Sequence, residues 1–179
     1  MEHNNTNKVY ILSGPAGVGK STTSKALVNT FSNSAYISGD YVSHMHIKGR
    51  KKPWESEKEN SLIWNNILSL TRNFLNAGND VVVDFVTFPQ EAKWLHEKLK
   101  DLKVDVIYVV LWADNQTIIN RDNTRIPENR MGERCLILVN EFKESVLDER
   151  YFLDTSRNTT QDFTSVLNEI RNNQKYKII

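Results

Sequence analysis

The segment that decides the fold reads VYILSGPAGVGKST and runs from Val9 to Thr22. Its first four residues form a short, unbroken apolar run, which is typical of a strand that is buried on both faces. The part from Gly14 to Ser21 matches the pattern G-x-x-x-x-G-K-[ST] at every fixed position. A helical pattern follows over residues 21–31. A glycine-rich loop between a buried strand and a helix is an arrangement that binds phosphate, so the segment predicts a nucleotide site.

The chemistry of such a loop gives each part of the motif a role. Glycines let backbone N–H groups turn inward around phosphate oxygens, and the positive end of the helix dipole strengthens the same anion site. We expect Lys20 to reach the β- and γ-phosphates of ATP and the Ser21 hydroxyl to bind Mg²⁺. The predicted nucleotide contacts are Gly14, Pro15, Ala16, Gly17, Val18, Gly19, Lys20, Ser21 and Thr22. The alternative is a glycine-rich turn that only connects a strand to a helix.

The rest of the chain alternates short apolar runs with helical patterns, which indicates βαβ units and a mostly parallel sheet. Predicted strands cover residues 9–12, 35–37, 80–84, 104–111 and 151–153. Predicted helices cover 21–31, 56–77, a segment that begins near Pro89, 133–149 and a last segment around 163–170. We expect Val139, Phe142 and Val146 to share the buried face of the helix over 133–149. The sequence therefore predicts an α/β fold, with one domain over residues 1–179.

Two acidic residues follow predicted strands, and we expect both at the carboxyl ends of the sheet, where ligands bind. Asp40 follows the second strand, where its carboxylate would accept the proton of an attacking hydroxyl or orient that hydroxyl. A turn cap is the alternative role for Asp40. Asp84 ends the third strand and is predicted to hold Mg²⁺, directly or through water, or to face the acceptor instead. A helix cap is the alternative for Asp84, although several residues separate it from Pro89.

Residues 40–77 form the predicted acceptor-binding region. The run 44–53 is cationic and would suit an anionic acceptor, although such a run is more often a solvated loop. His44 and His46 lack the further ligands that a zinc site needs, so zinc is not predicted. Trp54 and Trp64 would either line the acceptor pocket or belong to the core.

Four arginines cluster in a polar stretch of the chain, namely Arg121, Arg125, Arg130 and Arg134. We call residues 121–134 the arginine segment and predict that it is a mobile lid. Arginine forks neutralise charge on phosphoryl oxygens, and closure of a lid excludes water. Arg125 and Arg130 are the predicted phosphate contacts, with Arg121 nearer the nucleotide base. The alternative is an ordinary helix surface on which the arginines pair with Asp122, Glu128 and Glu133.

Composition narrows the classes of partner. The formal charge is +1, from 23 basic and 22 acidic residues, so the bulk charge does not favour nucleic acid or an anionic membrane. Cys135 is the only cysteine, which excludes an internal disulfide and suits a reducing compartment. Neither a secretory signal nor a membrane span is predicted. We therefore expect a cytoplasmic monomer or homodimer whose partners are ATP and a small-molecule acceptor.

These features together resemble the nucleoside-monophosphate-kinase-like group of P-loop kinases. The group includes adenylate, shikimate, gluconate and adenylylsulfate kinases and chloramphenicol phosphotransferase. The likeness spans nearly the whole chain, and its specific parts are Gly14 to Ser21, Ser38-Gly39-Asp40, the arginine segment and Asp154-Thr155-Ser156. The resemblance implies a three-layer fold whose five parallel strands have the order 2-3-1-4-5, with an acceptor region after the second strand and a lid over ATP. It also implies adenine between Arg121 and the loop from Thr155 to Arg157.

The phosphate loop alone does not separate kinases from GTPases and motor ATPases, because all three classes use it. The chain lacks the N-K-x-D or T-K-x-D segment and the D-x-x-G switch that a GTPase needs. We predict an ATP- and Mg²⁺-dependent kinase that phosphorylates a small-molecule hydroxyl, since gluconate kinase and small-molecule resistance kinases are nearest in size and layout. The alternatives are a nucleotide or polynucleotide 5′-kinase that uses the basic run, and an ATP-binding sensor or ATPase without transfer.

Overall fold

One parallel sheet organises the chain. The computed structural model describes residues 6–156 and 163–179. The strands are β1 (Lys8–Ser13), β2 (Ser34–Ser38), β3 (Asp80–Asp84), β4 (Asp105–Trp112) and β5 (Phe152–Asp154). Neighbouring strands are parallel, and their order is β2-β3-β1-β4-β5. Both the strand positions predicted from the apolar runs and the order implied by the resemblance are confirmed.

Helices cover both faces of this sheet. They are α1 (Lys20–Val28), α2 (Gly39–His44), α3 (Glu57–Asn76), α4 (Pro89–Leu99), α5 (Asn115–Asn123), α6 (Arg134–Glu144) and α7 (Phe163–Asn172). On one face, apolar side chains of α3 and α4 pack on the sheet, and on the other face those of α1, α5 and α7 do so. Side chains of α6 reach both clusters. The predicted three-layer arrangement is confirmed.

The central strand shows how the sequence produces two cores. Side chains of a strand alternate between faces, so Val9 and Ile11 enter the cluster under α3 and α4, while Tyr10 and Leu12 enter the opposite cluster. All four side chains are buried. Burial of one such aliphatic side chain contributes about 1.5–3 kcal/mol. An unbroken apolar run is therefore what a central strand of this sheet requires.

Local signals set the ends of the long helix α3, which confirms the prediction over 56–77. Ser56 caps the helix, because its side chain accepts a hydrogen bond from the Glu59 backbone N–H at 3.3 Å. Gly78 follows the helix with a φ of 81°, in the left-handed region that glycine adopts without strain. Between these ends, Ile63 and Ile67 are buried on the inner face.

Three helices differ from the predictions. Helix α1 ends at Val28, not at residue 31. Helix α6 ends at Glu144, not at residue 149, because Ser145 adopts an extended conformation. Val146 was expected to share the buried face with Val139 and Phe142, but it is 92% exposed. Helix α2 was not predicted, since six residues are too few to show a helical period. Asp40 therefore lies in the first turn of a helix and not in a loop.

Within residues 6–156 and 163–179, none of the helices combines the length and apolar character that crossing a membrane requires. The single domain over 1–179 stays a prediction.

Candidate active site

The phosphate loop joins β1 to α1 at the carboxyl edge of the sheet. Gly14, Gly17 and Gly19 have φ values of 128°, 90° and 93°, which only glycine adopts without strain. A Cβ atom at Gly14 would overlap the Leu111 carbonyl oxygen, and one at Gly17 would lie 3.0 Å from the Ile118 carbonyl oxygen. The loop is thus pressed against β4 and α5. Among the described residues, no side chain caps α1, so backbone N–H groups at its start are available to an anion.

Lys20 folds back over this loop. Its Nζ donates hydrogen bonds to the Gly14 and Pro15 carbonyl oxygens, each at 2.9 Å. Burial lowers the pKa of Lys20 below its ordinary value, while the negative charges of Asp84 and Asp40 act in the opposite direction. Both predicted acids are therefore within electrostatic range of the ammonium group.

Asp84 lies at the end of β3, where the sheet register pairs it with Leu12 on one side and Ser38 on the other. The side chain is buried, and its Oδ2 accepts a hydrogen bond from the Tyr36 hydroxyl at 2.7 Å. Burial raises the pKa of Tyr36 well above its ordinary value. The hydrogen bond and charge of Asp84 raise it further, whereas the neighbouring side chains of Ser38 and Ser21 lower it. The tyrosine hydroxyl thus contacts Asp84, one of the two predicted magnesium ligands.

Asp40 lies at the start of α2 and is exposed. The cap of this helix is Ser38, whose side chain accepts a hydrogen bond from the Tyr41 backbone N–H at 3.3 Å. Capping therefore does not occupy the Asp40 carboxylate. Gly39 fixes the position of the helix, because a Cβ atom there would overlap the Phe85 ring.

The arginine segment is built around one buried acid, Asp122. Its carboxylate accepts hydrogen bonds from the backbone N–H of Met131 at 3.1 Å and of Gly132 at 2.9 Å. Burial by itself would raise the pKa of Asp122, but these hydrogen bonds and the Arg125 charge hold it below its ordinary value. Arg125 Nη1 lies 3.6 Å from Asp122 Oδ1. One side chain thus closes the loop between α5 and α6.

Arg121 was predicted to lie near the nucleotide base, and that contact stays a prediction. Its Nη2 donates to the Thr155 carbonyl oxygen at 2.8 Å, and its Nη1 is 3.4 Å from both the Val18 carbonyl oxygen and Thr155 Oγ1. The guanidinium therefore connects the phosphate loop to the loop after β5. Arg157, the other predicted contact of the base, lies outside the described residues.

Arg130 does not point at the phosphate loop in this structure. Its Nε donates to the Arg125 carbonyl oxygen at 3.1 Å, and its Nη2 donates to the Asn123 carbonyl oxygen at 2.8 Å. The phosphate contact of Arg130 stays a prediction. Arg134 forms a bidentate ion pair with Glu141 at 2.7 and 3.0 Å. Glu141 was not among its expected partners. It lies seven positions after Arg134, about two turns further along α6.

Two tryptophans of the acceptor-binding region have different surroundings. Trp54 is 51% exposed, and its ring lies between the Arg134 guanidinium at 5.3 Å and the Lys52 ammonium at 5.6 Å. Trp64 is buried beside Phe85 and belongs to the core. Trp54 therefore connects the acceptor-binding region to the start of α6.

The cationic run 44–53 is largely engaged by neighbouring groups. His46 Nδ1 lies 2.9 Å from the carboxylate of buried Glu59, and Arg50 Nε donates to Ser43. A cavity of about 220 Å³ lies beside the His46–Glu59 pair, between α2 and α3. Met45 and Leu62 are among its lining residues. A second cavity of about 460 Å³ is lined by Asn7, Gly78 and Val104, among others, at the amino ends of the strands. That cavity is remote from the phosphate loop.

Comparison with known proteins identifies the family. A family model described as an AAA domain matches residues 9–144. The chain belongs to this AAA domain family. No curated protein sequence matches it.

Solved structures show the same fold as this AAA domain at low sequence identity. The Mycobacterium tuberculosis APS kinase CysC, in complex with AMPPNP and APS, has a TM-score of 0.66 at 15% identity, with 93% of this chain and 98% of that chain covered. A gluconokinase from Sinorhizobium meliloti 1021 has a TM-score of 0.64 at 16% identity, covering 92% and 90%. The Deinococcus radiodurans tunicamycin resistance protein has a TM-score of 0.60 at 18% identity, covering 93% and 96%. The predicted resemblance to small P-loop kinases is confirmed for the fold.

Tyr36 and Asp122 are residues of the candidate site of this AAA domain for which no functional role was predicted. Tyr36 was part of a predicted strand, and Asp122 was considered only as a surface ion-pair partner. One sequence signal was available for Tyr36, because it lies two positions before Ser38 on the same face of β2. Its contact with Asp84 spans 48 residues of sequence, so no local pattern shows it.

Proposed function

We propose that this protein is an ATP- and Mg²⁺-dependent kinase that transfers the γ-phosphoryl group of ATP to a hydroxyl of a small molecule. The observation that carries the proposal is the convergence of three groups at one edge of the sheet. The Lys20 ammonium lies over the phosphate loop, within electrostatic range of buried Asp84 and exposed Asp40. One carboxylate suits a metal and the other an incoming hydroxyl.

In this proposal ATP replaces internal partners of the loop. Lys20 exchanges the Gly14 and Pro15 carbonyl oxygens for phosphate oxygens, and backbone N–H groups of the loop bind the β-phosphate. Adenine lies beside Arg121, which already joins the phosphate loop to Thr155. The APS kinase of the same fold was solved with AMPPNP, which supports nucleotide binding by this fold.

The oxygen donors Ser21 and Asp84 fit Mg²⁺, which takes one or two protein oxygens and completes its shell with phosphate and water. A bound Mg²⁺ would neutralise charge on the β- and γ-phosphates. The phenol of Tyr36 donates a hydrogen bond to one of these donors, Asp84 Oδ2, at 2.7 Å.

Asp40 orients the acceptor hydroxyl in the proposed transfer. The acceptor oxygen forms a bond to the γ-phosphorus while the bond to the β–γ bridging oxygen breaks, and ADP leaves. The proton of the acceptor passes to the Asp40 carboxylate and then to solvent. Arg125 and Arg130 would neutralise the transferring oxygens. Arg130 must first leave the backbone carbonyls that it contacts in the arginine segment.

We propose further that the acceptor is a sugar acid or an antibiotic-like molecule. This proposal is supported by the fold shared with a gluconokinase and with a tunicamycin resistance protein. The cationic run 44–53 suits an acceptor with an acidic group. We also propose that the enzyme acts in the cytoplasm.

ADP release tests the proposal, with ATP and Mg²⁺ present and a panel of acceptors. The panel contains gluconate and other sugar acids, shikimate, nucleosides, nucleoside monophosphates, aminoglycosides, chloramphenicol and 5′-hydroxyl oligonucleotides. We expect one small-molecule class to raise the rate. Asp40→Asn should then lower kcat/KM by about 100-fold or more, and Lys20→Ala by a similar factor. Asp101→Asn is the matched control, because this exposed acid pairs with Arg72 away from the phosphate loop.

Other outcomes would replace the proposal. Full turnover in Asp40→Asn would contradict the role of Asp40. ADP release that needs no acceptor would indicate an ATPase. Tight ATP binding without increased ADP release for any acceptor would indicate an ATP-binding sensor. Phosphorylation of oligonucleotides, with an affinity that falls steeply with salt, would indicate a polynucleotide 5′-kinase.

A further inference from the structure

Tyr36 occupies a position that the proposed transfer does not use. It lies in β2, paired with Val82 of β3, and its ring faces α1, where Lys25 Nζ lies 5.9 Å from the ring centroid. The ring is half-buried in this position. Its hydroxyl reaches Asp84 at the carboxyl end of β3.

At that point the hydroxyl directly contacts one candidate metal ligand. It donates a hydrogen bond to Asp84 Oδ2 at 2.7 Å, and the Asp84 side chain is buried. The phenol belongs to β2 and the carboxylate to β3, so the hydrogen bond joins two neighbouring strands at the candidate metal site.

This hydrogen bond has a physical consequence for metal binding. A carboxylate with one oxygen held by a hydrogen bond has a restricted plane, so its other oxygen keeps one direction. Groups that orient metal ligands in this way change metal affinity by about 10–100-fold when they are removed.

We propose that Tyr36 is a positioning residue that holds Asp84 in the orientation that Mg²⁺ requires. The inference rests on the proposed function, since it takes Ser21 and Asp84 as the metal ligands. Tyr36 itself touches neither the metal nor the phosphates. Its effect is confined to the contribution that Mg²⁺ makes to nucleotide binding.

The test measures binding without turnover. The dissociation constant of AMPPNP is determined by calorimetry in EDTA and in saturating Mg²⁺, and the ratio of the two gives the contribution of the metal. Tyr36→Phe, which removes only the hydroxyl, should lower this ratio by about 10-fold. It should leave the affinity in EDTA unchanged, which also shows that the loop is intact.

Tyr176→Phe is the matched control. This buried tyrosine also places its hydroxyl near a carboxylate, Glu169 Oε1 at 3.3 Å, but it follows α7 at the amino end of β4. The ratio should not change in this variant. Thermal melts of both variants show whether the fold is retained.

The outcomes separate this inference from the proposed function. If Asp84→Asn lowers the ratio and Tyr36→Phe changes it by less than about three-fold, the role of Tyr36 is overturned and the metal site stands. If Asp84→Asn and Ser21→Ala also leave the ratio unchanged, the metal site itself is overturned, and Tyr36 loses its role with it. Lower AMPPNP affinity of Tyr36→Phe in EDTA would likewise overturn the inference, because the hydroxyl would then act on the nucleotide directly.

Discussion

At the scale of single residues, side chains around the phosphate loop owe their properties to burial as much as to charge. Cys135 shows this, because it is 1% exposed and lies at the start of α6. Burial raises the pKa of its thiol to about 11, and the Asp122 charge acts in the same direction. The thiol is therefore neutral in the folded protein at physiological pH.

This burial predicts a change of stability at alkaline pH. In the unfolded chain the thiol ionises near its ordinary pKa of 9.0, whereas in the folded protein it ionises at about 11. The stabilisation is complete below pH 9 and is lost between about pH 9 and pH 11, by up to about 3 kcal/mol. Urea unfolding at pH 8 and at pH 10.5 measures the loss. The Cys135→Ala variant should lose less stability over this interval, and an equal loss in both proteins would contradict the assignment.

Residue roles were predictable from sequence only where the pattern is local. The glycines of the phosphate loop are recognisable because the loop is continuous in sequence, and their positive φ values confirm the conformation that the motif requires. The bridge from Tyr36 to Asp84 forms only when β2 and β3 pair. No spacing within either strand contains that information.

At the scale of secondary-structure elements, the arginine segment is held in shape by Asp122. Its carboxylate accepts hydrogen bonds from two backbone N–H groups of the same turn. A hydrogen bond to a charged group contributes about 1.5–3 kcal/mol. The lid that we predict therefore has a fixed turn at its centre.

We expect Asp122→Ala to open this turn. Amide hydrogen exchange at Met131 and Gly132 should become at least 10-fold faster, which corresponds to the loss of at least about 1.4 kcal/mol of local stability. Asp148→Ala is the control, because this exposed residue also accepts a backbone hydrogen bond, from Arg150. Unchanged exchange in Asp122→Ala would show that the turn is held by other contacts.

Ends of elements were predicted less well than the elements themselves. The apolar positions of α6 continue at helical spacing to Val146, but the backbone becomes extended at Ser145 and exposes that side chain. A sequence period records which residues would share a face if the helix continued. It does not record where the backbone turns.

At the scale of the whole molecule, the order of strands brings distant segments to one edge. The acceptor-binding region follows β2 on one side of β1, and the arginine segment follows β4 on the other side. The alternation of apolar runs and helical patterns predicted a parallel sheet, whereas the strand order was implied by the family resemblance. Trp54 and Arg134 meet across this edge at 5.3 Å.

Replacement of two tryptophans should lower the free energy of unfolding by different amounts. Trp64→Ala removes a core side chain that packs on Phe85 and should lower the free energy of unfolding by about 3 kcal/mol or more. Trp54→Ala removes an exposed ring and its cation contacts and should cost about 1 kcal/mol. Urea denaturation of both variants checks the difference. Equal losses would mean that the contact of Trp54 with Arg134 is part of the core and not a surface contact.

The close approach of Gly39 to the Phe85 ring limits how such a protein can change its specificity during evolution. A side chain at position 39, at the start of α2, would overlap the Phe85 ring. The residue before Asp40 is therefore restricted to glycine while that ring is present. In the proposed acceptor-binding region, a lineage that accommodates a larger or smaller acceptor must do so through the residues that follow, in α2 and the loop before α3. Variation among homologues should therefore concentrate over residues 41–56, while the glycine and the aromatic ring change together or not at all.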